Sequence, residues 1–274
     1  MEKGGGAMTY DVLVVGGGPA GLSAAQNVRA RGKTVLVVSN PLEENPLWKA
    51  ERVDNYLGLP GKSGAELLTA FRRHAEAAGA VFQVGRALSA LRSGEDWYVS
   101  VGNTMAQAKA VVLAAGVTRG KKFPGEAELL GRGVSYCATC DGMLYRGKKV
   151  AVLGWSPSAK KEAAFLEEIG CRVVYFGKPR DCVIHGTEHV ESVTCGGMTE
   201  AVEGVFLLRP AMAPGELFPG LETAGGFVTV DRNMATNLPG VFAAGDCTGG
   251  PLQVSKAVGE GLTAGQKAAA FAAS

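Results

Sequence analysis

The sequence predicts an α/β protein built from two Rossmann-like domains. Three observations carry this reading. A glycine loop, Gly16-Gly17-Gly18-Pro19-Ala20-Gly21, follows the apolar run Val12–Val15 and opens a helical stretch. A second strand–loop–helix–strand unit begins at Lys149. The two units share one spacing: Val35 lies 19 residues after Gly16, and Val173 lies 19 after Gly154. Two dinucleotide-type units in one chain argue for two such domains.

The elements follow in order. Val12–Val15 is a short buried strand, and Leu22–Arg31 has helical spacing and stops at Gly32. Thr34–Val38 is the next strand, which completes a βαβ unit. Glu66–Ala78 is an amphipathic helix ending at Gly79. Val111–Leu113 is a buried strand that runs into the small residues Ala114, Ala115 and Gly116. In the second unit, Val150–Leu153 is the strand, Gly154–Ala159 the loop, Lys160–Ile169 the helix and Arg172–Phe176 the next strand. Val241–Ala244 is a late strand ending in Gly245-Asp246, and Ser255–Ala270 is a helix rich in small residues. The crossovers are expected near Val117–Lys122 and Thr223–Gly226.

The 274 residues suffice for two real cores. An apolar share of 46% and a mean hydropathy of +0.10 fit a soluble globular chain. Gly is frequent without a Gly-X-Y period, which points to turns and to backbone that approaches a ligand closely. A net charge of +2 gives no argument for a nucleic-acid or membrane partner. The leader Met1–Ala7 is polar, Gly-rich and expected to be disordered. No targeting or spanning segment is visible, so a cytoplasmic location is the default.

In Gly16-x-Gly18-x-x-Gly21 the first glycine allows the tight turn. The second lets backbone approach a pyrophosphate, and the third lets helix and strand pack closely. The helix start then faces the phosphates with its positive dipole end. The acidic ribose partner expected about twenty residues on is replaced by Ser39 and Asn40. A hydroxyl or an amide can still bond ribose.

Six cysteines in a chain this long are no disulfide framework. Cys137-Ala138-Thr139-Cys140 stands out and is followed by Asp141. Two thiols three apart can close a small disulfide at a helix start. A zinc half-site and an accidental pair are the alternatives, but no second CxxC exists to complete a zinc set. Cys182, His185, His189 and Cys195 show a loosely metal-like spacing, which structural residues also produce.

The order Gly-Gly-Gly-Pro-Ala-Gly, Cys-Ala-Thr-Cys-Asp-Gly, then Val-Phe-Ala-Ala-Gly-Asp resembles the low-molecular-weight thioredoxin reductase family. Residues 137–142 match its redox motif letter for letter. Asp54-Asn55-Tyr56 resembles its flavin-side segment, and Asn237–Asp246 resembles its second FAD motif. The similarity covers about residues 8–155 and 225–270. It implies FAD as cofactor, thioredoxin as partner and a homodimer. It also implies a discontinuous FAD domain (1–117 and 225–274) with a redox domain (118–224) inserted in it. By the same resemblance Cys140 faces the flavin, Cys137 attacks the partner disulfide, and Asp141 protonates the leaving thiolate. Gly16, Gly18, Pro19, Ala20, Gly21, Ser39, Asn40, Asn55, Ala115, Gly116, Gly245 and Asp246 fall to FAD. So do Gln253, Val254, Ser255 and Ala257, beside the flavin ring.

The second unit departs from that pattern. Ser156 stands where the family has glycine, with Trp155 and Pro157 beside it, and Phe176-Gly177-Lys178 replaces the arginines that grip NADPH. Lys178 and Arg180 could hold a phosphate another way. In this the chain resembles the ferredoxin-dependent flavin thioredoxin reductases of anaerobes, which lack the nicotinamide motifs. From Val117 to Lys161 the chain carries +6, against −4 for the remainder, a bias suited to an acidic partner or to plain solvated lysines. The favoured function passes electrons from ferredoxin through flavin and the cysteine pair to thioredoxin. An NADPH-dependent reductase, an oxygen-using dithiol oxidase and a flavin redox sensor are the alternatives.

Overall fold

The computed structural model describes residues 8–117 and 122–274. The leader 1–7 and residues 118–121 of the expected first crossover lie outside the described residues. The chain divides into two compact units, residues 1–118 with 211–274, and residues 119–210.

Unit 1 opens with β1 (Met8–Val15), α1 (Pro19–Ala30) and β2 (Val35–Ser39). Val12 to Val15 and all of β2 are buried, as strands covered on both faces must be. α2 (Gly64–Ala77) starts with a reciprocal cap: the Glu66 N–H donates to Ser63 Oγ, and the Ser63 N–H donates to Glu66 Oε2. β3 (Val81–Val84), β4 (Ala87–Ser93), β5 (Asp96–Val101) and β6 (Thr104–Leu113) follow.

Unit 2 holds β7 (Val134–Ser135), the one-turn helix α3 (Ala138–Asp141), β8 (Lys149–Gly154), α4 (Pro157–Glu168) and β9 (Arg172–Gly177). β10 (Val183–His185), β11 (Ser192–Cys195) and β12 (Met198–Ala201) form an antiparallel sheet before β13 (Gly204–Leu208). The parallel sheet runs β7-β13-β8-β9. The segment 154–159, expected as a loop, is helical from Pro157. Proline is well placed in the first turn, where its missing N–H has no acceptor to lose.

The chain returns to unit 1 through α5 (Pro214–Leu217), β14 (Thr223–Ala224), β15 (Phe227–Val228), β16 (Val241–Ala243) and α6 (Val254–Phe271). The units divide at Pro210, earlier than the crossover expected near Thr223–Gly226. Gly225 and Gly226, with φ of +58° and +85°, are instead the turn of the β14–β15 hairpin. A Gly-Gly pair reads alike as a linker or a turn in sequence.

The unit 1 sheet runs β3-β2-β1-β6-β5-β4. β6 is long enough to divide one edge. Its first half pairs antiparallel with β5 and its last residues pair parallel with β16. β1 pairs along the other edge, with Val15 beside Leu113. α1 and α6 lie close together because both are rich in small residues. A Cβ on Gly261 would sit 2.2 Å from Ala20 O, and one on Gly265 would sit 2.4 Å from Ala24 O. Gly259, on the same helix, has open space around it.

Two alanine substitutions test this packing by thermal and urea unfolding. Each gains about 1 kcal/mol of helix propensity. At Gly261 the new methyl meets a backbone carbonyl that cannot rotate away, so Gly261→Ala is expected to lose about 2 kcal/mol net. Gly259→Ala is expected to be neutral or stabilising. Equal shifts for the two would contradict the close α1–α6 approach.

Candidate active site

In an open parallel sheet a ligand sits beyond the carboxyl ends of the strands where their order reverses. In unit 1 that point lies between β1 and β6. Gly16 follows β1, and Ala115 and Gly116 follow β6. Gly16 has φ of +114°, and a Cβ there would lie 2.2 Å from Ala114 O. A Cβ on Gly21 would lie 1.9 Å from Gly16 O, so the loop closes only with glycine at both places. Gly18 is the N-cap of α1, no side chain caps it, and its first turn carries no acid. That helix start is an anion site by construction. Ser39, 9% exposed, ends β2 beside Gly17, and Asn40 follows it.

Gly245 and Asp246 stand at the end of β16 in the same unit. Lys256 Nζ donates to Gly245 O (2.9 Å), Thr248 Oγ1 (2.9 Å) and Gly249 O (2.7 Å). Glu260 Oε2 accepts from the Gly245 N–H and the Thr248 hydroxyl, each at 2.8 Å. The two side chains pair at 3.1 Å and hold the loop that presents Asp246. Burial pushes the Asp246 carboxyl up, Lys256 pulls it back, and Glu260 pushes it up again. Gln253 and Ser255 lie exposed at the start of α6, with Val254 half-buried and Ala257 buried.

In unit 2, Cys137 and Cys140 form a disulfide. Cys137 is the N-cap of α3 and is 7% exposed, whereas Cys140 is exposed. The Cys140 N–H donates to Cys137 Sγ at 3.1 Å, and the Thr139 hydroxyl lies 3.4 Å from it. Such donors hold negative charge on that sulfur once the bond opens. Ser135 Oγ bonds Asp141 Oδ2 at 2.6 Å and accepts from the Cys137 N–H at 3.1 Å.

The matching crevice of unit 2 lies between β8 and β13. It is filled by the chain itself. Trp155 follows β8 and stacks on Phe123 with centroids 6.0 Å apart. Arg209 follows β13, lies 5.0 Å from the Trp155 ring, and makes a two-pronged pair with Glu126 at 2.5 and 2.8 Å. Glu126 is fully buried and also accepts from the Phe123 N–H and the Tyr136 hydroxyl. Burial pushes its carboxyl up, but Arg209, Phe123 and Tyr136 outweigh that and hold it below the usual range. Ser156 caps α4, accepting from the Ala159 N–H. Lys178 and Arg180 lie exposed past the end of β9.

The pyridine nucleotide-disulphide oxidoreductase family matches residues 10–196 and 214–261. The chain belongs to that family. It is 30% identical to the thioredoxin reductase of Bacillus subtilis, over 94% of this chain and 93% of that one. It is 31% identical to the thioredoxin reductase of Aquifex aeolicus, over 86% and 85%. A crystal structure of a ferredoxin-flavin thioredoxin reductase from Clostridium acetobutylicum matches with a TM-score of 0.91 and 35% identity, covering 97% of this chain and 98% of that chain. The family member described here is a flavoprotein disulfide reductase of thioredoxin reductase type, with FAD as cofactor and Cys137–Cys140 as its redox-active pair. Unit 1 fits FAD: the glycine loop is a cradle that a Cβ would fill, and the start of α1 is left uncapped.

Structure thus groups Gly16, Gly18, Pro19, Ala20, Gly21, Ala115 and Gly116 at one switch point and places Cys137, Cys140 and Asp141 around one helical turn. Asn55 lies exposed in the loop between Val53 and Lys62. Lys256, Glu260 and Ser135 escaped the sequence reading, since their partners are brought to them by the fold. Cys182, His185, His189 and Cys195 have a loosely metal-like spacing in the sequence. Cys182 and Cys195 instead form a second, buried disulfide where β10 and β11 pair. Strand alternation puts both sulfurs on the core face and His185 on the outer face, bonded to Thr194. Cys171 and Cys247 are buried thiols, that of Cys247 pushed up to about 12 by burial, and neither is poised to react.

Breaking the Glu126–Arg209 pair removes a buried carboxylate charge from a half-buried guanidinium. Glu126→Gln is expected to lower stability in urea by about 3 kcal/mol at neutral pH. Because the folded carboxyl is held low, its contribution is complete above the usual carboxylate range and is lost as pH falls from there through the lowered folded value. The gap between variant and wild type should therefore narrow in acid; a constant gap would contradict the charge argument.

Proposed function

We propose that this chain reduces the disulfide of a thioredoxin through Cys137 and Cys140, and that reduced ferredoxin rather than NADPH supplies the electrons. The observation that carries the choice of donor is the filled second crevice. Trp155 stands at the switch point, Ser156 caps the helix that would meet a pyrophosphate, and Arg209 is already committed to Glu126. Losing two arginine–phosphate contacts as well weakens nucleotide binding by several kcal/mol, roughly a thousandfold. The likeness to the Clostridium acetobutylicum protein supports the same donor.

FAD, when bound, supplies the junction between a donor of single electrons and a dithiol that gives electrons in pairs. Gly16, Gly18, Pro19, Ala20 and Gly21 would hold its pyrophosphate, with Ser39 and Asn40 at a ribose. Ala115, Gly116, Gly245 and Asp246 would line the middle of the cofactor. Asn55, Gln253, Val254, Ser255 and Ala257 would meet the flavin ring, and Cys140 would face it.

In the dithiol state the Cys137 thiolate attacks one sulfur of the partner disulfide. The released partner thiolate takes a proton held at Asp141. The Cys140 thiolate then attacks Cys137 Sγ, closes the internal disulfide and frees the second partner thiol. Two thiols become one disulfide here while one disulfide becomes two thiols in the partner. Met143 and Leu144, 59% and 71% exposed, stand beside the pair with the exposed Arg146 and Lys148, a docking face for an acidic protein. The same resemblance carries a homodimer and a cytoplasmic location into the proposal. No helix among the described residues is long and apolar enough to cross a membrane.

Anaerobic mixing tests the donor. Reduced ferredoxin is expected to bleach the flavin and then support thioredoxin reduction, whereas sub-millimolar NADPH or NADH is not. Rapid bleaching by NADPH would sink the choice of donor.

The thiol roles are tested by trapping. In the structure Cys140 is the exposed member, so the assignment of attack to Cys137 makes a sharp demand: its sulfur must be uncovered to react. Cys140→Ser is expected to trap a mixed disulfide with a thioredoxin that lacks its second cysteine, and Cys137→Ser is not. The reverse pattern would exchange the two roles.

A further inference from the structure

We propose that Ser135 is a positioning residue for the thiol–disulfide exchange, holding the Asp141 carboxylate in register with the Cys137–Cys140 pair. This rests on the reading of Asp141 as the group that gives a proton to the leaving thiolate. Ser135 is 3% exposed. It sits on β7, where it pairs with Phe206 of β13, so its backbone is fixed by the sheet. Its hydroxyl has one proton to give. The Cys137 N–H points into the oxygen at 3.1 Å, and two acceptors compete for the proton: Asp141 Oδ2 at 2.6 Å and Cys137 O at 3.2 Å. The shorter contact goes to the carboxylate, which is the stronger acceptor.

The geometry makes Ser135 a hinge pin between the two functional ends of the motif. Asp141 belongs to a helix of four residues, too short to be rigid on its own. Its carboxylate is therefore placed from the sheet, across six residues of sequence, rather than from its own turn. The same oxygen fixes the backbone of Cys137, so the sulfur and the carboxylate are referred to one point. Oδ1 is left to carry the proton that the exchange consumes. No electron passes through Ser135, and no bond to it forms or breaks.

A double-mutant cycle tests this on the FAD-loaded enzyme, with a chemical one-electron reductant in place of a protein donor. Ser135→Ala is expected to slow thioredoxin turnover about tenfold, the size of one hydrogen bond to a charged group, with KM for thioredoxin unchanged. In the Asp141→Asn background the same substitution is expected to cost less than about twofold. Ser135→Thr, which keeps the hydroxyl, is read against the isosteric Ser135→Val, so the comparison survives at equal volume if the alanine variant does not fold. Thr is expected to keep the rate and Val to lose it. An equal slowing in both Asp141 backgrounds, or full speed without the hydroxyl, overturns the proposal. Full speed in Asp141→Asn alone strikes the acid–base reading itself and takes the proposal with it, a result that needs no Ser135 variant.

Discussion

The first N–H groups of a helix have no acceptor within it, and both βαβ units of this chain are organised around where those acceptors come from. At α1 the N-cap is Gly18, which offers no side chain, and the turn is closed by two glycines, Gly16 and Gly21, that lie against neighbouring backbone. The first N–H groups of α1 and its dipole end suit an anion. At α4 the N-cap is Ser156, whose hydroxyl already serves the helix. One scaffold is thus left incomplete for a cofactor, and its repeat is completed by the chain.

The same division extends outward from each helix start. Around α1, small residues let α6 pack against α1 at backbone distance, which carries Gly245 and Asp246 to the site. Lys256 and Glu260 then satisfy the polar groups of that loop, so the loop holds its shape without the cofactor supplying the bonds. In the second unit large side chains occupy the equivalent place. Trp155, Phe123 and Arg209 stand at the switch point, and the buried Glu126 balances the half-buried guanidinium. A buried pair of this kind is costly to disturb, and that resists reopening the crevice.

The redox pair sits in unit 2, whose β8–α4 turn carries Trp155 and Ser156. Its local structure is slight, one turn of helix, and its order comes from neighbours. The Cys140 N–H and the Thr139 hydroxyl converge on Cys137 Sγ, and Ser135 ties Asp141 to the β7 strand. The remaining cysteines are separated from this chemistry by burial. Cys182–Cys195 links two paired strands inside the unit 2 core, while Cys171 and Cys247 donate to backbone carbonyls.

The sequence by itself determined the two βαβ units, the glycine loop and the redox motif, because each is a local pattern in which a few neighbouring residues dictate their own backbone. Gly16, Gly18 and Gly21 announce their turn, and Cys137 with Cys140 announce theirs. It also showed that the second unit departs from the family's phosphate-gripping pattern at Ser156 and at Phe176-Gly177-Lys178. Only tertiary structure decided what stands there instead. Glu126 meets Arg209 across 83 residues, and the Cys182–Cys195 bond follows from strand register that spacing alone could not separate from a metal site. The division at Pro210 was hidden for a similar reason, since a Gly-Gly hairpin turn and a linker share one composition. Ser135, Lys256 and Glu260 are ordinary polar residues along the chain. They acquire a role only when sheet pairing and helix packing bring an acceptor or a donor within about 3 Å, a distance at which hydrogen bonds form and which no sequence interval specifies.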